Sequence, residues 1–78
     1  MISVKLTGQF RALAPEDCEN GAFELEAGRR TLGDLLSSLG VEDAGIKYAV
    51  WVNNARKPKD YTPQEGDSII VMPLLAGG

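Results

Sequence analysis

A single short amphipathic helix, set among segments with strand character, most limits what this chain can fold into. Thr31 is suited to cap the helix, with Asp34 three residues on completing a capping box, and Gly40 is suited to end it. Gly33, in the first turn, predicts close packing against a sheet. The apolar stripe at i, i+3, i+4 and i+7 consists of Leu32, Leu35, Leu36 and Leu39. One helix with one apolar face needs a sheet to cover it.

The remaining apolar segments supply that sheet. Strands are predicted at residues 2–7, 22–26, 48–52 and 68–72, with a short edge strand at 56–58. The first strand alternates apolar and polar side chains, and the second is its natural hairpin partner, with Phe23 and Leu25 facing inward. Asn53-Asn54 predicts a turn between the third strand and the edge strand.

The connections are short and polar. Residues 9–14 predict about one helical turn before Pro15, which would tuck Phe10 and Leu13 under the sheet. Residues 16–21 predict an acidic surface loop, and residues 41–47 predict a polar connection with one further helical turn. We therefore expect one domain over residues 1–74 and a flexible tail over residues 75–78.

The order of elements predicts an α+β architecture. A hairpin, a helix, a strand, an edge strand and a final strand fit a mixed four- to five-stranded sheet with one helix across one face. The first and last strands then lie parallel at the centre, as in the ubiquitin-like β-grasp. The predicted core comprises Ile2, Val4, Leu6, Leu32, Leu35, Leu36, Leu39, Val50, Val52, Ile69 and Val71.

Composition excludes several classes of function. Eight basic and eleven acidic residues give a net charge of −3, which argues against nucleic acid as a partner. No apolar run approaches the ~20 residues that cross a bilayer, and the start has no signal-peptide core, so we expect a cytoplasmic protein with no membrane partner. A single cysteine, Cys18, flanked by carboxylates, and no histidine leave neither a disulfide, a metal site nor a usual general base. We expect no enzymatic activity from the chain alone.

The tail carries the chemistry. Gly77 and Gly78 follow the last strand, and glycine can pass through a slot too narrow for a side chain. Extended, the residues after Leu74 reach ~13–14 Å at ~3.3–3.6 Å per residue. This reach suits delivery of a carboxyl group into a partner's active site. We expect both glycines to be exposed and poorly ordered, and the alternative is a frayed terminus without function.

These features together resemble a known family. The segments that carry the resemblance are Phe10-Arg11-x-Leu13, Val52-Asn53-Asn54, Gly66-Asp67, Pro73 and Gly77-Gly78. Over essentially its full length the chain resembles the MoaD/ThiS sulfur carriers, and most closely the small subunit of molybdopterin synthase. Tails of that subunit often carry a proline where this chain has Leu74, so molybdopterin and thiamine both stay open as end products.

The resemblance implies a mechanism. An E1-like enzyme would adenylate the Gly78 carboxylate, next to Gly77, with ATP and magnesium that belong to the enzyme, so this chain itself would bind no cofactor and no metal. A sulfur donor protein would convert the acyl-adenylate to a thiocarboxylate, and the large subunit of a synthase would accept the sulfur. The chain could then act as the small subunit of a molybdopterin synthase-type complex. A protein modifier that forms isopeptide bonds to lysines, or an interaction domain with an incidental tail, would fit the same sequence.

A docking surface is also predicted. Because strands alternate faces, Trp51, Ile70 and Met72 should point away from the helix and form an exposed apolar patch beside the tail. We expect partners to bind this patch together with Leu74 and Leu75. In the alternative, the first loop folds over the patch with Phe10 and Leu13.

Overall fold

The computed structural model describes residues 1–15 and 21–74. Its strands are β1 (Ile2–Leu6), β2 (Ala22–Leu25), β3 (Tyr48–Val52), β4 (Ala55–Arg56) and β5 (Ser68–Pro73). Its helices are α1 (Leu32–Leu39) and two 3₁₀ helices, Gly8–Leu13 and Glu42–Ala44. The predicted elements are confirmed, with ends that differ by one residue for β1, β2, β5 and the first 3₁₀ helix. The edge strand starts one residue early and includes neither residue 57 nor Pro58. No helix in the described ranges is long and apolar enough to cross a membrane.

The five strands form one mixed sheet in the order β2-β1-β5-β3-β4. β1 and β5 lie side by side and parallel at the centre, and every other pairing is antiparallel. With α1 as the one main helix, this is the predicted β-grasp. Because β1 and β5 run in the same direction, the chain leaves β5 at the same end of the sheet at which β1 enters the first 3₁₀ helix.

The helix forms with the predicted capping geometry. The Asp34 amide donates to Thr31 Oγ1 at 3.2 Å, and the Thr31 amide donates to Asp34 Oδ2 at 3.4 Å, which completes a capping box. Gly40 has φ of 90°. Its amide bonds the Ser37 carbonyl, and the Val41 amide bonds the Leu36 carbonyl at 3.0 Å, the pairing of a Schellman motif.

The core lies between α1 and the sheet. Each of the predicted core residues is buried except Leu39, which is half-buried. Leu39 is less buried than predicted because the Schellman motif turns the chain after it. Val41 is then fully buried beside the last turn of the helix. The buried cluster comprises Ile2, Val4, Leu6, Phe10, Leu32, Leu35, Leu36, Val41, Val50, Val52, Ile69 and Val71.

Two local expectations, those for Leu13 and Gly33, are corrected. Phe10 is fully buried as predicted, but Leu13 is 37% exposed. Phe23 and Leu25 face inward and pack against the core, as predicted, and they are half-buried because β2 is the edge of the sheet. Gly33 packs against the loop after β4 rather than the sheet: its amide donates to the Lys59 carbonyl at 2.9 Å, and an added Cβ would lie 3.6 Å from that residue.

Candidate functional site

Three apolar side chains share the face of the sheet opposite α1. In the antiparallel register Trp51 pairs with Ile70, and Met72 pairs with Ala49. Their neighbours Val50, Ile69 and Val71 point to the core. Trp51 and Ile70 are half-buried, and Met72 is 43% exposed. We call Trp51, Ile70 and Met72 the apolar patch.

The first 3₁₀ helix does not cover the apolar patch. Phe10 lies on the opposite side of the sheet, in the core, with its ring edge-on to Tyr48 at a centroid distance of 6.0 Å. Leu13 lies near the end of α1, where its Cδ2 would be 3.6 Å from a Cβ added at Gly40. Covering of the patch by these two side chains is therefore excluded, while residues 16–20 lie outside the described part of the chain.

Leu74 follows the last residue of β5. Its amide donates to the Lys47 carbonyl at 2.8 Å, which extends the pairing of β3 and β5 by one residue. It is 39% exposed. It lines an open groove of about 430 Å³ with Ile46 and Tyr48. The predicted site residues Leu75, Gly77 and Gly78 lie outside the described residues.

A polar cluster forms one wall of this groove. The Tyr48 hydroxyl donates to the Glu42 carboxylate, and Lys59 Nζ lies 3.0 Å from Glu42 Oε1 and 5.3 Å from the centre of the Tyr48 ring. Burial of the ring, and then its bond to Glu42, raise the pKa of Tyr48. The bonds from Tyr48 and Lys59 lower the pKa of Glu42. The cluster links the second 3₁₀ helix to the loop after β4. No motif in the sequence indicated this contact.

The second half of β5 is hydrogen-bonded to Thr7, the residue that follows β1. The Thr7 amide and hydroxyl both donate to the Val71 carbonyl, at 3.1 and 2.8 Å. Next to them, Gly8 has φ of 57°, and a Cβ added there would lie 2.7 Å from Pro73 Cγ. The chain therefore leaves the sheet over a glycine that has no room for a side chain.

The start of β5 is held by a buried carboxylate, Asp67. It accepts hydrogen bonds from Asn53 Nδ2 at 2.9 Å, the Tyr61 hydroxyl at 2.7 Å and the Gln64 amide at 2.8 Å. Asn53 Oδ1 in turn accepts from the Ser68 amide at 3.0 Å. These bonds, that of the Gln64 amide first, hold the pKa of Asp67 below its ordinary value. Sequence reasoning singled out both Asn53 and Asp67 but not their contact.

Asn53 also forms the turn that leads to β4. Asn53 and Asn54 have φ of 52° and 70° and connect β3 to β4 as a two-residue hairpin loop. Two consecutive left-handed residues define a type I′ turn, in which asparagine is favoured. The predicted turn is confirmed, and it places the Asn53 side chain beside the start of β5.

Comparison with known proteins identifies a family and a solved structure with a similar fold. The model of the ThiS family matches residues 4–78. The crystal structure of SAMP1 from Haloferax volcanii superposes with a TM-score of 0.66 and 19% sequence identity, over 99% of this chain and 98% of that one. At this identity the structural match shows a shared fold. A search of curated proteins gave no match.

Proposed function

Because this chain belongs to the ThiS family of small, non-catalytic sulfur carriers, we propose that it carries sulfur as a thiocarboxylate on Gly78. The observation that supports this most directly is the family match, which includes both terminal glycines. The fold adds a physical reason, because a central strand, held at both ends, leads into the segment that would present the carboxylate.

The chemistry requires activation by a partner. A carboxylate is a poor electrophile until one of its oxygens becomes part of a leaving group. An E1-like enzyme adenylates the Gly78 carboxylate with ATP and magnesium and releases pyrophosphate. Sulfur from a donor protein then displaces AMP, and the resulting thiocarboxylate is a good nucleophile toward the acceptor of the sulfur. ATP and magnesium are bound by the activating enzyme rather than by this chain.

The carrier's own contribution is to dock and to aim the tail. We assign docking to the apolar patch, because a half-buried tryptophan–isoleucine pair next to an exposed methionine has the composition of an interface core. We also assign docking to Leu74, which lines the groove at the start of β3, and to Leu75, which follows it in the sequence. The same surface would serve the activating enzyme and the sulfur acceptor in turn, in the cytoplasm.

The end product that we favour is molybdopterin. Phe10-Arg11-x-Leu13 and the long first loop resemble the small subunit of molybdopterin synthase, whereas Leu74 departs from that pattern. Thiamine is the alternative. Supplying the thiocarboxylated protein to the large subunit of molybdopterin synthase, and separately to the thiazole-forming synthase of thiamine assembly, would separate them. Sulfur transfer to the first alone is the expected result.

The deciding experiment on the carrier function is the intact mass of the protein purified from its native host. Exchange of one terminal oxygen for sulfur raises the mass, and alkylation at the terminus separates that change from oxidation elsewhere. A protein modifier would instead appear as ladders of lysine conjugates on immunoblots. Conjugates without any thiocarboxylate would favour the modifier and contradict the carrier.

A further inference from the structure

Trp51 and Ile70 of the apolar patch lie between two cations in one row across the sheet. Lys5 of β1 is in register with Ile70, Ile70 with Trp51, and Trp51 with Arg56 of β4. The Arg56 guanidinium carbon lies 5.8 Å from the centre of a Trp51 ring. Neighbouring strands are ~4.8 Å apart, so the backbone positions of the two cations are separated by roughly 14 Å.

Neither cation has a carboxylate partner in the described part of the chain. There, ion pairs join Met1 with Glu65 and Lys59 with Glu42, both away from this row. Both Lys5 and Arg56 are exposed.

The strand side chains on this face carry a net positive charge, opposite in sign to that of the whole chain. The net charge is −3. Among the strand residues that the register places on this face, Lys5 and Arg56 are basic and Glu24 alone is acidic. Glu24 pairs with Ser3, in a different row from Lys5. The row through the patch is therefore apolar at its centre and basic at both ends.

We propose that the activating enzyme docks on this row with an apolar surface bordered by two carboxylates roughly 14 Å apart, one for Lys5 and one for Arg56. This inference rests on the proposed function and adds the chemistry of the partner surface. Two charge pairs on either side of an apolar contact fix the rotation of the carrier about the contact, and so the direction of the tail.

A second copy of this chain fits the row poorly. Face-to-face pairing would bring the basic ends of the two rows together, and the face offers one carboxylate, Glu24, in each copy. Like charges placed together oppose association. A partner with acidic groups around an apolar centre satisfies both parts of the row.

The test is the rate of ATP–pyrophosphate exchange by the activating enzyme as carrier concentration is varied. Lys5→Glu and Arg56→Glu should each raise the KM for the carrier about tenfold with little change in kcat, because the charges act on docking. Arg29→Glu, in the turn before α1, makes the same charge change away from the face and should match wild type. Lys5→Arg and Arg56→Lys keep the charge and should stay within about threefold of wild type.

A second experiment measures the KM for the carrier at increasing salt concentration. The KM of the wild type should rise with added NaCl, and that of the Lys5→Glu/Arg56→Glu double variant should rise much less, since ionic screening acts on the charge pairs. Replacing the two carboxylates of the enzyme that face Lys5 and Arg56 with lysine should restore the KM of the double variant.

Three results would overturn the inference. These are wild-type KM values in both reversal variants, an equal rise in Arg29→Glu, or a wild-type dimer in sedimentation that the reversals dissociate. Absence of exchange with wild-type carrier would instead contradict the proposed function, and this inference would fall with it.

Discussion

Gly8 lies against Pro73 so closely that a Cβ on Gly8 would come within 2.7 Å of Pro73 Cγ and 3.1 Å of Cδ. Gly8 also holds a left-handed backbone with φ of 57°. Gly8, two residues after the end of β1, therefore limits where Pro73, the last residue of β5, can lie. This contact joins the segment after β1 to the end of β5.

Replacing Gly8 with alanine should disturb the tail exit. We expect a loss of about 1–3 kcal/mol in the free energy of unfolding, from the left-handed backbone and the contact with Pro73 together. We also expect a fall in kcat/KM for adenylation, since the tail would leave the sheet in another direction. Gly66→Ala is the matched control, because Gly66 has φ of 87° but open space around its Cβ position. Equal losses of stability and unchanged activity in both variants would show that the Pro73 contact has no role.

Asp67 should make the protein less stable in acid. Its pKa in the folded protein lies below the ordinary value, about 3.9, because the Gln64 amide, then Tyr61 and Asn53, stabilise the charged form. The unfolded chain therefore takes up the proton at higher pH. The stability that Asp67 contributes is present above about pH 4 and is lost as the pH falls through the folded pKa.

The measurement is urea unfolding of wild type and Asp67→Asn from about pH 7 down to pH 2. The variant should be less stable at neutral pH and should lose less stability on acidification. Glu42→Gln serves as a comparison, because the pKa of Glu42 is also lowered. If the free energies of unfolding of Asp67→Asn and wild type fell in parallel as the pH is lowered, Asp67 would not be a source of the acid sensitivity.

The leucines of α1 should not be equivalent. Leu35→Ala or Leu36→Ala should cost roughly 2–5 kcal/mol, because both side chains are fully buried against the sheet. Leu39→Ala should cost less, about 1–2 kcal/mol, because Leu39 is half-buried and Val41 fills the site beside it. Chemical denaturation of the three variants tests the order. A loss below about 1 kcal/mol at both Leu35 and Leu36 would mean that α1 does not cover the sheet.

Removal of the apolar patch should weaken docking without unfolding the domain. Trp51→Ala or Ile70→Glu should weaken binding to the activating enzyme by about 1–4 kcal/mol, as truncation of interface anchors does. Leu13→Ala is the control, because Leu13 is an exposed leucine away from this face. Calorimetric titration and the melting temperature should be measured together. Wild-type affinity in both patch variants, or unfolding of both, would reject the patch as the docking surface.

The tail should be required at its full length. Deletion of Gly78, or addition of residues after it, should abolish adenylation and leave the melting temperature unchanged, because the described core ends before the tail. Mass spectrometry of the reaction products would show whether an extended chain had been trimmed. Normal adenylation of an untrimmed extended chain would refute the mechanism.

Most of the fold follows from local sequence. The leucine stripe, the Thr31–Asp34 capping box and Gly40 predicted α1, and the apolar alternation of residues 2–6 predicted β1. Asn53-Asn54 predicted the hairpin turn. Each of these signals depends on residues within a few positions of each other, so each element could be predicted from its own segment of the sequence.

The sequence by itself therefore determined the elements, their order and the β-grasp that this order implies. Only the tertiary structure decided which of these elements meet. It placed Gly8 beneath Pro73, Asn53 against Asp67, and Leu74 in a groove with Tyr48. It also buried Val41 in place of Leu39. Most of these contacts join residues that are distant along the chain, so their partners depend on how strands pair and on which side chains fill the remaining space, which no local pattern encodes.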